Sequence, residues 1–460
     1  MSTSERRVWI RALVVALVLA LVSVGCGSSE DTGAGDDTAT DSGETADTSS
    51  DESEAAEEEP ADAGDEATAG EAGAIKVFLI PSPSAEAIKS FADEFTADTG
   101  IAVTFEEVPY GEAHQKQLLA YEQGNGAYDV AQFDNTFLAA FGAAGVMTPL
   151  DDYLAASAEY DIDDFSVGQQ DYGKYEGQTL GLTLSTEPMI QWYRTDIYEE
   201  LGLEPATTWE EYYSNAQAVE DAGLGDGQIV GFGPNVSWWW MTLVWSFGGE
   251  VYDDSLQPQV NSPEAIAATE YLKSLLDVSP EGAVSASGDD VTNKFISQDI
   301  GAMIQYSGYY GVTLDPESNK YPGLLGTAPM PQGSADITHL AGWNIGIPAD
   351  SANKDQAWQF LEFVLGKSNA KAYLESGAAA IGRKSITGDA ELTAEQPYLL
   401  QLNIPESSRI ERYPQLKVWP EMDVAIVQHV SDIMTGASSV EDGLNDLQST
   451  LEPILAAENG

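Results

Sequence analysis

Four of the ten tryptophans of this 460-residue chain, Trp238, Trp239, Trp240 and Trp245, stand within eight consecutive positions, and Gly248-Gly249 closes the run. An indole is a wide rigid plate with one N–H donor, suited to a molecule with one apolar face and polar edges. A pyranose ring is such a molecule. Gripping one also requires planar polar groups that bond pairs of hydroxyls, and carboxylates do this well because their hydrogen bonds are charge-assisted. The chain supplies 76 Asp and Glu against 19 Lys and Arg. The competing reading of the run is a buried helix. If residues 238–247 are helical, Trp238, Met241, Thr242 and Trp245 share one face while Trp239 and Trp240 point elsewhere. Four indoles then do not make one platform, and Trp245 reads as core.

Other chemistries find little support. His114, His339 and His429 are scattered, Cys26 is the single cysteine, and no Gly-x-Ser-x-Gly or His-Glu-x-x-His pattern occurs. An intrachain disulfide and a cysteine-based metal site are excluded, and no cofactor is expected. The formal charge of −57 argues against nucleic acid and anionic membrane surfaces as partners, since both call for clustered Lys and Arg. A secreted glycosidase, needing two carboxylates roughly 5–10 Å apart, is allowed by composition but matches no catalytic motif.

The N-terminus reads as an address. Arg6, Arg7 and Arg11 precede the uncharged run 12–24, and Gly25-Cys26 follows. A basic region, a short apolar region and a small residue describe a secretory signal. The run is short of the roughly 20 residues that span a membrane. Residues 1–25 resemble a bacterial lipoprotein signal with Cys26 as the lipidated residue, although Ser23 stands where that family prefers Leu. Arg6-Arg7 also resembles a twin-arginine export signal. Residues 27–73 carry 17 acidic residues and no Lys, Arg or aromatic. Such a tract cannot offset its ordering entropy and reads as an extended, solvated tether.

From residue 74 onward the pattern is that of a folded protein. Residues 75–80 read as a strand, and Pro81-Ser82-Pro83-Ser84 breaks it, with Ser82 or Ser84 placed to cap a helix over 85–99. Gly100 stops that helix, 101–108 is a second strand, a helix carries Leu118, Leu119 and Tyr121, and 128–133 is a third strand. Strand–helix–strand–helix–strand predicts an α/β fold with a parallel sheet, whose ligands bind beyond the carboxyl ends of the strands. The loop 81–84 and the pair Asp134-Asn135 lie at such ends.

Several motifs in order resemble the extracellular solute-binding proteins of sugar-type ABC importers, the maltodextrin-binding class. They are residues 91–101, 128–135, 145–151, 184–193, Leu201-Gly202-Leu203, 208–211, the tryptophan run, Gly301-Ala302-Met303, Gly342-Trp343-Asn344, and a helix with Ala357, Phe360, Leu361, Phe363 and Val364. The similarity runs from about residue 74 to the C-terminus. It implies two discontinuous α/β lobes with a ligand cleft and hinge, the type II periplasmic-binding-protein arrangement. Carried onto this chain, lobe one is 74–185 plus 337–392 and lobe two is 186–336 plus 393–460.

The resemblance implies a monomeric receptor, held at the membrane through its lipid anchor only, that captures a carbohydrate (mono- or oligosaccharide) and delivers it to ABC-importer permease subunits. It requires no covalent chemistry. Ser82, Ser84, Asp134 and Asn135 would contact the ligand from lobe one, with helix capping as the alternative for Asp134 and Asn135. Glu187 would contact it at the crossover, or else be a solvated hinge residue. Gly342, Trp343 and Asn344 match a cleft segment, the glycine allowing close backbone approach. Trp238 would stack on the ligand, with Trp239 or Trp240 a second wall if the first turn is irregular. In the segment 303–309, Tyr306 and Tyr309 would line the cleft, although Ser307 and Tyr309 replace the family's Gly and Trp. Arg383 resembles an arginine near the cleft, or else makes a surface ion pair. The acidity suggests a polyamine as an alternative ligand on the same fold.

Overall fold

The computed structural model describes residues 73–165, 167–314, 317–405 and 407–459. The proposed signal, Cys26 and nearly all of the acidic tract lie outside them. The first sheet holds five strands: Ala74–Leu79 (β1), Ala102–Glu107 (β2), Val130–Asp134 (β3), Leu182–Thr183 (β6) and Trp343–Gly346 (β12), in the order β2-β1-β3-β12-β6. β1 pairs parallel with β2 and β3, as the strand–helix alternation predicts, and β12 runs antiparallel to β3 and β6. Val77, Phe78 and Leu79 are all fully buried, as in a strand covered on both faces. Lys174–Tyr175 (β4) and Gln178–Thr179 (β5) form a separate hairpin.

The second sheet is built on Glu187–Arg194 (β7). One edge of β7 pairs antiparallel with Ile300–Tyr306 (β9), which in turn pairs parallel with Asp226–Ile229 (β8). Leu325–Pro329 (β10) and Ile337–Ala341 (β11) also pair antiparallel with β7, and Arg409–Glu411 (β13) pairs parallel with β11. β11 thus belongs to the second sheet and β12 to the first. The chain crosses back at Gly342, whereas the resemblance implies a boundary at about residue 337.

The first helix is shorter than expected. Ser82 caps Pro83–Ser90 (α1), its hydroxyl accepting from Ala85 N at 3.2 Å, and Pro83 occupies a first-turn position that needs no N–H. The helix is interrupted at Phe91, resumes as Ala92–Thr99 (α2), and ends on Gly100 at φ 75°. Tyr110–Gln123 (α3) follows β2. In the second lobe the tryptophan run forms Val236–Ser246 (α4), in which every residue except Trp238 is buried. A helix that is apolar all round belongs inside a core. Trp239 donates to Ile304 O at 2.7 Å, Trp240 to Thr269 Oγ1 at 2.8 Å, and Trp245 meets His339 edge-on at 5.1 Å. Pro263–Ser274 (α5) and Trp419–Met434 (α6) pack against it, Val440–Ala456 (α7) packs on both of these, and the C-terminal helices contribute Met422, Ile426, Leu444 and Leu451 to the same core. No described helix is long and apolar enough to cross a membrane.

Trp245→Ala should lower stability by about 3–5 kcal/mol, the cost of emptying a large buried site. Thermal melts of the unliganded protein should show a clear drop for this variant and a much smaller one for Trp238→Ala.

Candidate functional site

The carboxyl ends of the first-sheet strands face the crossing. Asp134 ends β3, where its carboxylate accepts from Thr136 N at 2.8 Å and from the Tyr110 hydroxyl at 3.2 Å. The capping role weighed against ligand contact is therefore real, and the second carboxylate oxygen meets Tyr110. Burial raises the Asp134 pKa, partly offset by those hydrogen bonds, and the Asp134 charge raises that of Tyr110. Trp343 lies opposite Asp134 in the β3–β12 register, with its ring edge-on to Tyr110 at 5.8 Å.

At the crossing, Ser185 donates to Glu187 at 2.5 Å. Burial pushes the Glu187 carboxyl up to about 7; the Ser185 bond opposes this and the Asp134 charge adds to it. A side chain at Gly308 would run into the Glu187 carboxyl. Gly342 sits at φ 147°, where a Cβ would come within 2.3 Å of the Ser185 carbonyl, so only glycine lets the two crossing segments touch. Tyr172 donates to Gly342 O at 2.9 Å.

The second lobe presents Trp238, half-buried and tilted over Tyr306 at 5.6 Å, with Gly288 leaving room for its ring. Tyr309 donates to Asp289 at 3.0 Å, and the Tyr306 and Tyr413 hydroxyls are 2.6 Å apart. Ser237 donates at 2.7 Å to Asp423, whose pKa is raised by burial and by the Asp134 charge. Gln415 donates to Asn135 Oδ1 at 2.7 Å and ties the C-terminal segment to the first lobe. Aromatic rings, carboxylates and hydroxyls from both lobes are thus gathered about the crossing: Trp343 lies opposite Asp134, its backbone N–H donates to Ser185 at 3.3 Å, and the Asp134 charge acts on Glu187 and Asp423. Among the described residues, no group of His, Cys, Asp and Glu is arranged to hold a metal ion.

A family model described as bacterial extracellular solute-binding protein matches residues 81–371, more than half of the chain. This chain belongs to the bacterial extracellular solute-binding proteins. It is 25% identical over 392 residues to a probable amino-acid ABC transporter periplasmic-binding protein of Sinorhizobium fredii, covering 83% of this chain and 89% of that one. It is 24% identical over 316 residues to the mannitol-binding protein of Pseudomonas aeruginosa, covering 66% of this chain and 71% of that one. A solute-binding protein of Agrobacterium radiobacter K84, solved in complex with ribitol, superposes with a TM-score of 0.74 at 25% identity, over 83% of this chain and 98% of that one. The fold is the two-lobed type II arrangement. Family and relatives are binding proteins, and the family is extracellular, which puts this solute-binding protein on the extracytoplasmic side.

Not every expected residue faces the cleft of this solute-binding protein. Trp239 is 2% exposed with its N–H used in the core, so a regular first turn removes it as a second wall. Arg383 is fully buried in the first lobe, donating to Tyr160 O and Leu365 O and lying 4.4 Å from the Phe165 ring centre. It pairs with Asp164 at 3.3 Å, which corrects both the cleft and the surface readings. Asn344 is fully buried beside Phe133, Gly173 and Gly181, because alternation along β12 turns it away from the face Trp343 uses. Ser82 is a helix cap, and Ser84 is buried in contact with Tyr373. Asn135 is 1% exposed and spans the lobes, bonding Tyr172 O and Gln415. The residues that sequence reasoning missed are Tyr110, Ser185, Ser237, Tyr413, Gln415 and Asp423; of these Ser185 and Ser237 lay inside quoted motifs.

The Glu187 carboxyl predicts a pH slope. Its value falls from about 7 in the folded chain to its ordinary 4.5 on unfolding, so between these values the native state holds a proton that the unfolded state gives up. Stability then decreases as pH rises through that window, by at most about 3 kcal/mol from this group. Glu411, also pushed up to about 7 by burial, adds a slope of the same sign. Glu187→Gln should flatten the dependence of the thermal midpoint between about pH 5 and pH 7.5 and leave the Glu411 share.

Proposed function

We propose that this protein captures a polyol or short carbohydrate outside the cytoplasm and hands it to the permease of an ABC importer. The observation that carries this reading is that Asp134, Glu187 and Asp423 come from separate segments yet the Asp134 charge acts on both others, with Trp343 opposite Asp134 and Trp238 next to Ser237, the partner of Asp423. Indole faces suit the C–H faces of such ligands, and the carboxylates and tyrosine hydroxyls suit their hydroxyl edges. The mannitol-binding relative and the ribitol-bound neighbour support the choice of ligand class. Asp134, Glu187, Trp238, Tyr306, Tyr309 and Trp343 are the proposed contacts, joined by Tyr110, Tyr413 and Asp423.

A ligand touching both lobes stabilises their closed approach, and binding then selects the state a permease recognises. In this reading Cys26 carries the lipid, and the acidic tract 27–73 keeps the receptor beside the membrane yet free to turn.

Tryptophan fluorescence and thermal melts with mannitol, ribitol, glucose and maltose test the proposal. At least one ligand should raise stability, by about 2.7 kcal/mol at a hundred times Kd. Trp238→Ala should weaken that ligand at least tenfold while leaving the unliganded melt nearly unchanged. No response to any member of the panel would overturn the reading.

A further inference from the structure

Three carboxylates of the cleft come from three separate segments: Asp134 from the end of β3, Glu187 from the start of β7 and Asp423 from the first turns of α6. Their hydrogen-bond partners are all neutral: Thr136 N and Tyr110 OH on Asp134, Ser185 OH on Glu187, Ser237 OH on Asp423. None takes part in an ion pair among the described residues, where Arg194, Arg383 and Arg409 are committed to other acids. Arg412 donates to Asp171 O and stands 6.0 Å from the Tyr172 ring centre, and Lys417 is exposed. The two histidines nearby supply no charge. His339 is fully buried, and His114 stacks on Phe137 at 4.2 Å with its pKa lowered by burial. Asp289, tied to Tyr309, and Glu421, close enough to act on His114, add further negative charge at the rim.

A neutral polyol would satisfy the lone pairs of these acids but leave the closing cleft either to keep uncompensated charge or to take up protons, and near pH 7.5 both cost free energy that a countercharge would remove. One ammonium group cancels that cost, and the surrounding Trp238, Trp343, Tyr110 and Tyr309 rings offer π faces that attract cations. We propose that the ligand is a hydroxylated amine, a polyol or sugar bearing one ammonium group seated among Asp134, Glu187 and Asp423. This rests on reading the cleft as a carbohydrate site and narrows it.

Calorimetric titration of the full protein with matched pairs decides the matter: sorbitol against 1-amino-1-deoxysorbitol, and glucose against glucosamine, with N-acetylglucosamine and spermidine as further arms. The amine should bind at least tenfold tighter than its neutral partner near pH 7.5. Added salt should shrink that preference, and Asp423→Asn or Asp134→Asn should cut the ratio of amine to neutral affinity about tenfold, whatever each does to the neutral ligand's own affinity. A neutral member that binds as tightly as its amine overturns the inference and leaves the carbohydrate reading standing. Binding of spermidine alone, or of nothing, overturns both. A variant that fails to fold is replaced by a pH series on the parent protein, where the amine preference must fall on acidification toward pH 5; a flat preference counts against the proposal.

Discussion

Everything in this molecule hangs on the contact between two crossing segments. Gly342 lies against the Ser185 carbonyl in a conformation that leaves no room for a Cβ, and Tyr172 pins the Gly342 carbonyl from the first lobe. On one side of this point β12 completes the first sheet; on the other β11 joins the second. Neither sheet is contiguous in sequence: β12 joins the first only after the second crossing, and β13 and the C-terminal helices join the second lobe only after a third, between residues 346 and 409. The same contact sets Glu187 and Trp343 side by side at the floor of the cleft, one just past the first crossing and the other just past the second. Hinge and binding floor are the same few residues.

The charge pattern follows from that geometry. The exterior of a protein carrying 76 acidic residues can keep its charges hydrated, and most of the ion pairs lie at half-exposed positions where they contribute little. Inside the cleft, Asp134, Glu187 and Asp423 lose that hydration together. Burial raises the pKa of each, and the Asp134 charge adds to the rise at Glu187 and Asp423. The chain's total acidity says nothing of this. What matters is that the three bring no base with them, although the first lobe spends an arginine, Arg383, entirely on its own interior.

That arginine shows where sequence reading stops. Arg383 looks the same on paper whether it meets a ligand, a surface acid or a core, and only the carbonyls of Tyr160 and Leu365, some 223 and 18 residues away, decide it. β1 and β3 were legible as short, largely apolar runs and β2 as an alternating one between Gly100 and Pro109, and Asp134 follows from where β3 must end. The crossing at Gly342 was placed early because β11 and β12 form one run broken by a single glycine. Gln415 and Asp423 were invisible for a different reason. They act through Asn135 and Asp134, about 280 residues distant, and no local pattern marks a contact between the start of one lobe and the last helices of the other.

The tryptophan run settles between its two readings by way of a proton. Thr242 has one hydroxyl hydrogen and lies 2.6 Å from both the Trp238 carbonyl and His339 Nδ1. The carbonyl can only accept, so Thr242 donates to it and His339 Nδ1 carries the hydrogen in the second bond. A buried neutral histidine, its pKa pushed down to about 3 by burial, supplies that donor across the neutral pH range. The chain from His339 through Thr242 to Trp238 therefore ties the first turn of α4, with its half-buried Trp238, to the core, where Trp245 packs on the same imidazole. Three tryptophans are buried so that the fourth is held rigidly at the cleft, and an indole fixed before the ligand arrives loses little freedom on binding it.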